Sequence, residues 1–135
     1  LGKGACDCLA FGCGPGGKLF GHAFMQERNL AAWEKQVMRG EKPVFALMKP
    51  TANWHLLRTV ACAVENGPFN LKEIGGAFGK DVDGAAASLL NQWIDAGLLE
   101  KSQDTYCPTV AGMFWHVTMA QFLVNVISKR LRAET

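Results

Sequence analysis

The sequence has no excess of either charge. Fourteen Lys and Arg stand against twelve Asp and Glu, a formal net charge of +2 over 135 residues. The total therefore carries none of the basic potential with which nucleic-acid binders hold phosphates. Charged residues are scarce at 19%, against 49% apolar. That is a globular composition on the oily side, which argues against disorder and leaves part of the surface to meet protein or ligand. No secretory signal is visible, and the five cysteines form no even set; Cys6 and Cys8 are too close for an ordinary bridge. A disulfide-stapled secreted scaffold is thereby excluded, and a reducing, cytoplasmic setting is expected. Internal repeats and low-complexity segments are also missing, and the length suffices for a core without disulfides. Because the sequence opens on Leu1 and runs straight into a glycine-rich stretch, a piece of a longer protein is expected.

One long apolar run exists, residues 110–127, close to the minimum for a membrane span. It carries His116, Thr118, Gln121 and Asn125, three of them on one helical stripe. Met113, Val117, Ala120, Val124, Ile127 and Leu131 fall on another. Two faces predict a packed helix and no membrane span.

The densest feature is residues 4–21, GACDCLAFGCGPGGKLFG, which holds six of the fifteen glycines and three of the five cysteines. Glycine in such density favours a loop that lets main chain approach a ligand, a cluster or another backbone; the plainer alternative is an architectural turn. Residues 29–39 then read as a short helix with Leu30, Trp33 and Val37 on one side and Gly40 as its stop. Val44 to Met48 lies between Pro43 and Pro50 as a strand or extended connector. A first part, residues 1–50, ends there.

The second part, residues 51–135, reads as a helix capped by Asn53, with Leu57, Val60, Ala61 and Val64 inward. A short helix follows, capped by Asn70 with Glu73 three residues on, and then a third capped by Asp81 or Asp83, with Ala86, Leu90, Trp93 and Ile94 inward. Residues 98–102 and 105–109 around Gln103-Asp104 read as a hairpin before the long last helix. The expected fold class is mainly α with a small β-hairpin: a Gly/Cys-rich loop and helix, followed by a winged-helix-like domain.

A winged helix could place its third helix in a DNA groove. The residues that this helix would present, Ser88, Asn91, Gln92 and Asp95, include no cation, so no nucleic-acid partner is expected. A free-standing winged-helix module for nucleic acid or protein is kept as an alternative. Cys6, Cys8 and Cys13, with His22 or Asp7 as a fourth ligand, are candidates for a metal site and hence for a metal-binding sensor. The Cys-Asp-Cys spacing is tighter than paired zinc cysteines keep, and three reduced thiols lining a pocket or packing as small apolar groups is the alternative. Cys62 and Cys107 read as structural. His22, at the end of the glycine stretch, is the best-placed histidine; His55 on an outer helix face and His116 near the long helix's inner stripe read as ordinary.

The run FGCGPGGKLFGHAFMQ, the helix ending in RGEKP, and then LLNQWIDAGLLE, TYCPT and VAGMFW together resemble the carboxy-terminal part of the radical-SAM proteins related to oxygen-independent coproporphyrinogen III oxidase. The likeness covers nearly the whole chain and is nearest to the haem-utilisation branch. It implies an upstream partial barrel as partner, carrying a CxxxCxxC motif for an iron–sulfur cluster and S-adenosylmethionine. That motif is absent from this sequence, and Cys6, Cys8 and Cys13 do not match it. The chain is then implied to be a non-catalytic lid and cavity domain of an oxidoreductase- or methyltransferase-type enzyme acting on a tetrapyrrole. On that implication Phe11, Gly12, Gly14, Gly16, Gly17, Lys18 and His22 are the candidate substrate-binding residues. Phe11 and Phe20 would stack, Lys18 would meet a propionate, and His22 would serve as a possible axial ligand.

Overall fold

A computed structural model describes residues 7–133; Gly4 and the candidate ligand Cys6 lie outside the described residues. These residues fall into two compact units, 7–54 and 55–133.

In the first unit the segment His22-Ala23-Phe24-Met25-Gln26 has no Gly or Pro and an aromatic at its centre, which suits an extended strand. It is the central strand of a three-stranded antiparallel sheet, β1 (Gly16–Leu19), β2 (His22–Gln26) and β3 (Val44–Met48), in the order β1-β2-β3. The register sets Gly17 opposite Phe24 and Phe24 opposite Leu47, with a shift between Met25 and Gln26. Phe20 and Gly21 join β1 to β2 with φ of 46° and 80°. Two successive positive values make the two-residue turn whose twist matches antiparallel strands. Gly21 is free of strain there, whereas Phe20 holds a conformation unusual for a bulky residue; its N–H donates to Asp7 Oδ1 at 3.0 Å. A single bridge, Cys8 to Lys18, extends the sheet beyond β1.

The expected glycine loop is therefore loop only in its first part. Gly16 and Gly17 stand inside a strand, and the described residues form two small sheets where one hairpin was expected. The reason is pairing: a Cβ on Gly16 would stand 2.9 Å from Met25 Sδ, and one on Gly17 would meet the Phe24 ring. These glycines serve the close approach of neighbouring strands. Between β2 and β3 runs α1 (Leu30–Met38), with Asn29 Oδ1 accepting from the Ala32 N–H at 3.0 Å. No residue of α1 is buried, and two of the three side chains expected inward, Leu30 and Val37, are exposed. Trp33 is half-buried, its Nε1 donating to Gln26 Oε1 at 3.1 Å.

The second unit follows the expected order: α2 (Trp54–Asn66), α3 (Leu71–Ala77), α4 (Val82–Asp95), the hairpin β4 (Leu99–Ser102) and β5 (Thr105–Pro108), and α5 (Val110–Ala133). Asn70 Oδ1 accepts from the Glu73 N–H at 3.1 Å, and Asp81 Oδ1 accepts from the Gly84 N–H at 2.9 Å. Asp81 and not Asp83 is thus the cap of α4. The core gathers Leu56, Val60 and Val64 of α2, Leu71 of α3, Val82, Ala86, Leu90 and Trp93 of α4, Leu99 and Tyr106 of the hairpin, and Leu123 and Ile127 of α5. Burying each large aliphatic side chain contributes about 1.5–3 kcal/mol.

Two stripes differ from expectation. On α2 Leu56 is buried together with the expected Val60 and Val64, while Leu57 and Ala61 are only partly buried. On α5 the inner side is Met119, Ala120, Leu123, Ile127 and Leu131, while Met113 and Val117 are exposed. The polar stripe of α5 is narrow and apolar residues flank it on both sides, so the period alone left the inner stripe open. Among the described residues α5 is the one helix long and apolar enough to cross a membrane by length and composition.

Candidate functional site

One face of the three-stranded sheet carries an open groove of about 590 Å³. Alternation along β2 turns His22, Phe24 and Gln26 to this face, with Leu19 from β1 and Val44 and Leu47 from β3 beside them. Leu9 and Ala10 line one side, and Lys42 and Pro43 another. Gln26 clasps the wall: its Nε2 donates to the Ala10 carbonyl while its Oε1 accepts from Trp33. The lining is mostly apolar, with His22 and Lys42 as the side chains able to meet a ligand's charged or lone-pair groups. A concave apolar surface with few polar groups, within the roughly 300–1,000 Å³ of small-molecule sites, is what ligand recognition requires.

His22 is held at the head of β2. Its Nδ1 lies 3.1 Å from the carbonyl oxygen of Phe20 across the tight turn.

Of the seven expected substrate-binding residues, His22 lines this groove. Gly17 lies under it, against Phe24. Gly12 and Gly14 occupy the bend before β1, and Gly16 pairs with Met25. Phe11 and Phe20 are each 84% exposed and are not among the groove's lining residues. Lys18 lies elsewhere, its Nζ 4.0 Å from the centroid of the Trp54 ring. Of the lining residues missed in the sequence, Leu47 stands in the apolar run at 44–48, while Leu9, Leu19, Phe24, Gln26 and Lys42 had no local signal.

Of the candidate metal ligands, Cys6 lies outside the described residues. Among the described residues no group of three or more His, Cys, Asp or Glu is placed to hold a metal. Cys13 donates its thiol to the carbonyl of Glu27 at 3.2 Å, and Cys8 exchanges backbone hydrogen bonds with Lys18. Cys62 and Cys107 stand on a helix and on a strand. The described cysteines therefore do not fit an iron–sulfur cluster of the three-cysteine kind.

A second polar cluster is structural. The Tyr106 hydroxyl donates to Asp83 Oδ1 at 2.9 Å and accepts from Lys101 Nζ at 3.0 Å. Burial pushes the Tyr106 phenol above its ordinary range, and the bond to Tyr106 raises Lys101. Beside it Lys72 Nζ and Asp104 Oδ1 pair at 2.6 Å on the surface. On α4, Ser88, Asn91, Gln92 and Asp95 are exposed.

No family model matches the chain. Anaerobilin synthase of Escherichia coli O157:H7 is 34% identical over 128 residues, 93% of this chain and 27% of that protein. The solved structure of coproporphyrinogen III oxidase (HemN) from Escherichia coli, a radical SAM enzyme by its description, matches 93% of this chain and 29% of its own with a TM-score of 0.70. At 13% identity that likeness shows the fold. The chain spans little more than a quarter of the length of either protein.

Proposed function

The chain is related to the HemN-like radical-SAM proteins, and we propose that in a protein of that kind it is an auxiliary carboxy-terminal domain lining a cavity for haem or another tetrapyrrole. The observation that carries this reading is the groove on the sheet, whose volume of about 590 Å³ suits a flat macrocycle. Phe24, Leu19 and Leu47 offer faces to an apolar ring system. Lys42 offers a cation to a propionate carboxylate at the rim.

S-adenosylmethionine and an iron–sulfur cluster supply the radical chemistry in enzymes of this kind, and the upstream barrel is the partner we assign to hold both. What this chain's residues do is bind and orient. The apolar wall removes water from around the substrate, Lys42 fixes its acidic edge, and Gln26 keeps the Leu9–Ala10 wall in place. We read the helical unit as winged-helix-like and as a lid, since its exposed α4 residues, Ser88, Asn91, Gln92 and Asp95, include no cation for nucleic acid. We assign the protein a reducing, cytoplasmic setting, in which the thiols of Cys8, Cys13, Cys62 and Cys107 stay reduced.

The test is binding. Haem titrated into the chain and followed by absorbance should saturate, and Lys42→Ala should weaken it more than it weakens a porphyrin esterified at its propionates. Equal weakening of both would remove the proposed role of Lys42. Cleavage of S-adenosylmethionine by the 135-residue chain alone, under anaerobic reducing conditions, would contradict the auxiliary role.

A further inference from the structure

We infer that His22 ligates the iron of a haem seated in the groove, through Nε2; this rests on the groove being the tetrapyrrole site. His22 Nδ1 stands 3.1 Å from the carbonyl oxygen of Phe20. A carbonyl oxygen can only accept, so the contact is a hydrogen bond when Nδ1 carries the proton. In the neutral ring the lone pair then sits on Nε2. Among the described residues no hydrogen bond occupies that nitrogen.

This is the arrangement in which imidazoles bind metals. The remote ring nitrogen donates to a backbone carbonyl, which fixes the tautomer, sets the ring orientation and raises the basicity of the ligating nitrogen. Here the acceptor belongs to a two-residue turn whose backbone is set by the pairing of Leu19 with His22, so the ring is tethered to rigid structure.

The surroundings favour iron over a second hydrogen bond. His22 shares its face with Phe24 and Gln26, and Leu9, Leu19 and Leu47 surround it with apolar surface. A macrocycle lying on that surface would shield the nitrogen from competing water. The other two histidines lack the setting: His55 is exposed on α2, and His116, whose Nδ1 faces the Met113 carbonyl on α5, lines no cavity described for the helical unit. The site thus selects an iron porphyrin over a metal-free one, although both fit the groove.

The experiment compares haemin with metal-free protoporphyrin IX on the 135-residue chain, its His22→Ala and His22→Gln variants, and a His116→Ala control. Absorbance gives affinity and electron paramagnetic resonance gives the ligand signature. Wild-type chain should show a nitrogen ligand on ferric haem. His22→Ala should weaken haemin by about tenfold or more, the scale on which metal sites respond to disturbed ligation, and leave protoporphyrin unchanged. Added imidazole should restore the signature. A signature that persists in His22→Ala and His22→Gln, or that His116→Ala abolishes, overturns the assignment and leaves the groove reading standing. Equal weakening of haemin and protoporphyrin makes His22 wall and not ligand, which also overturns it. Failure of the wild-type chain to bind either compound removes the groove reading and this inference together. Circular dichroism checks that each variant is folded, and the wild-type signature alone decides the question if both His22 variants unfold, its absence overturning the assignment.

Discussion

The side chain of Phe24 lies against the backbone of Gly17, in the space that a Cβ on that residue would occupy. The Cys8 carbonyl, from the segment bridged to Lys18, closes the same space 2.8 Å from that Cβ position. Gly17→Ala must therefore move either an aromatic ring or a paired backbone. Overpacking of this kind costs about 1–3 kcal/mol, and the Phe24 ring, as part of the groove floor, would move with it. Thermal unfolding should show the loss, and haem affinity should fall in the same variant. A melting midpoint equal to wild type would mean that the two strands do not approach so closely.

The phase of α5 gives a second test. Leu123 is fully buried and Val117 is 42% exposed. Leu123→Ala should cost about 2–5 kcal/mol as a core truncation, whereas Val117→Ala should stay within about 0.5 kcal/mol. Denaturant unfolding of the two variants measures the difference. The opposite order would restore the stripe through Met113 and Val117.

These two sites show what could be read from the sequence and what could not. The helix start at Asn70 was legible because a side-chain acceptor placed before an apolar run has a local signature, and the hairpin was legible because two extended runs flank the two-residue Gln103-Asp104 loop. The three-stranded sheet was only partly so. Gly16 and Gly17 look like loop residues until the partner strand that fills their missing side chains is known, and that partner is a tertiary fact. The groove suffered similarly. His22 was found from its position beside the glycines, but Lys42, Leu47 and Leu9 reach the same face only once β2 and β3 pair. Lys18 and Phe20 alternate away from it. On α5 the sequence showed a two-faced helix and could not say which apolar side faced inward.

Tyr106 is the chain's single tyrosine, so its ionisation can be followed alone by phenolate absorbance. It is 3% exposed, and burial is the largest cause raising it above the ordinary value of 10.0, with the bond from Lys101 opposing and Asp83 assisting. A raised folded value means that folding favours the protonated phenol. Its contribution to stability is complete below pH 10 and is lost as pH rises through the folded value. Titration of native protein should place the midpoint above that of the protein in denaturant, and Tyr106→Phe should flatten the alkaline fall in stability. Coincident native and denatured midpoints would show the phenol to be open to water.

Duplex DNA supplies a further check on the helical unit. With Ser88, Asn91, Gln92 and Asp95 as the exposed polar residues of α4, affinity at physiological salt should be no better than the roughly 10⁻⁴ to 10⁻⁶ M of non-specific contact. A tighter, sequence-dependent complex in a gel-shift titration would return the unit to nucleic-acid recognition.

The central claim is that the sheet face, and not the helical unit, meets the tetrapyrrole. Leu47 lines the groove yet is 61% exposed, so Leu47→Glu places a carboxylate in the groove with little cost to the fold. The direct measurement is haem affinity by absorbance titration in the wild-type chain, in Leu47→Glu, and in a Ser88→Ala, Gln92→Ala pair on α4. Wild type should bind at about micromolar strength, about −8 kcal/mol. Leu47→Glu should lose about tenfold or more, about 1.4 kcal/mol, and the α4 pair should match wild type. Wild-type affinity in Leu47→Glu together with a loss in the α4 pair would contradict the account and place the site in the helical unit.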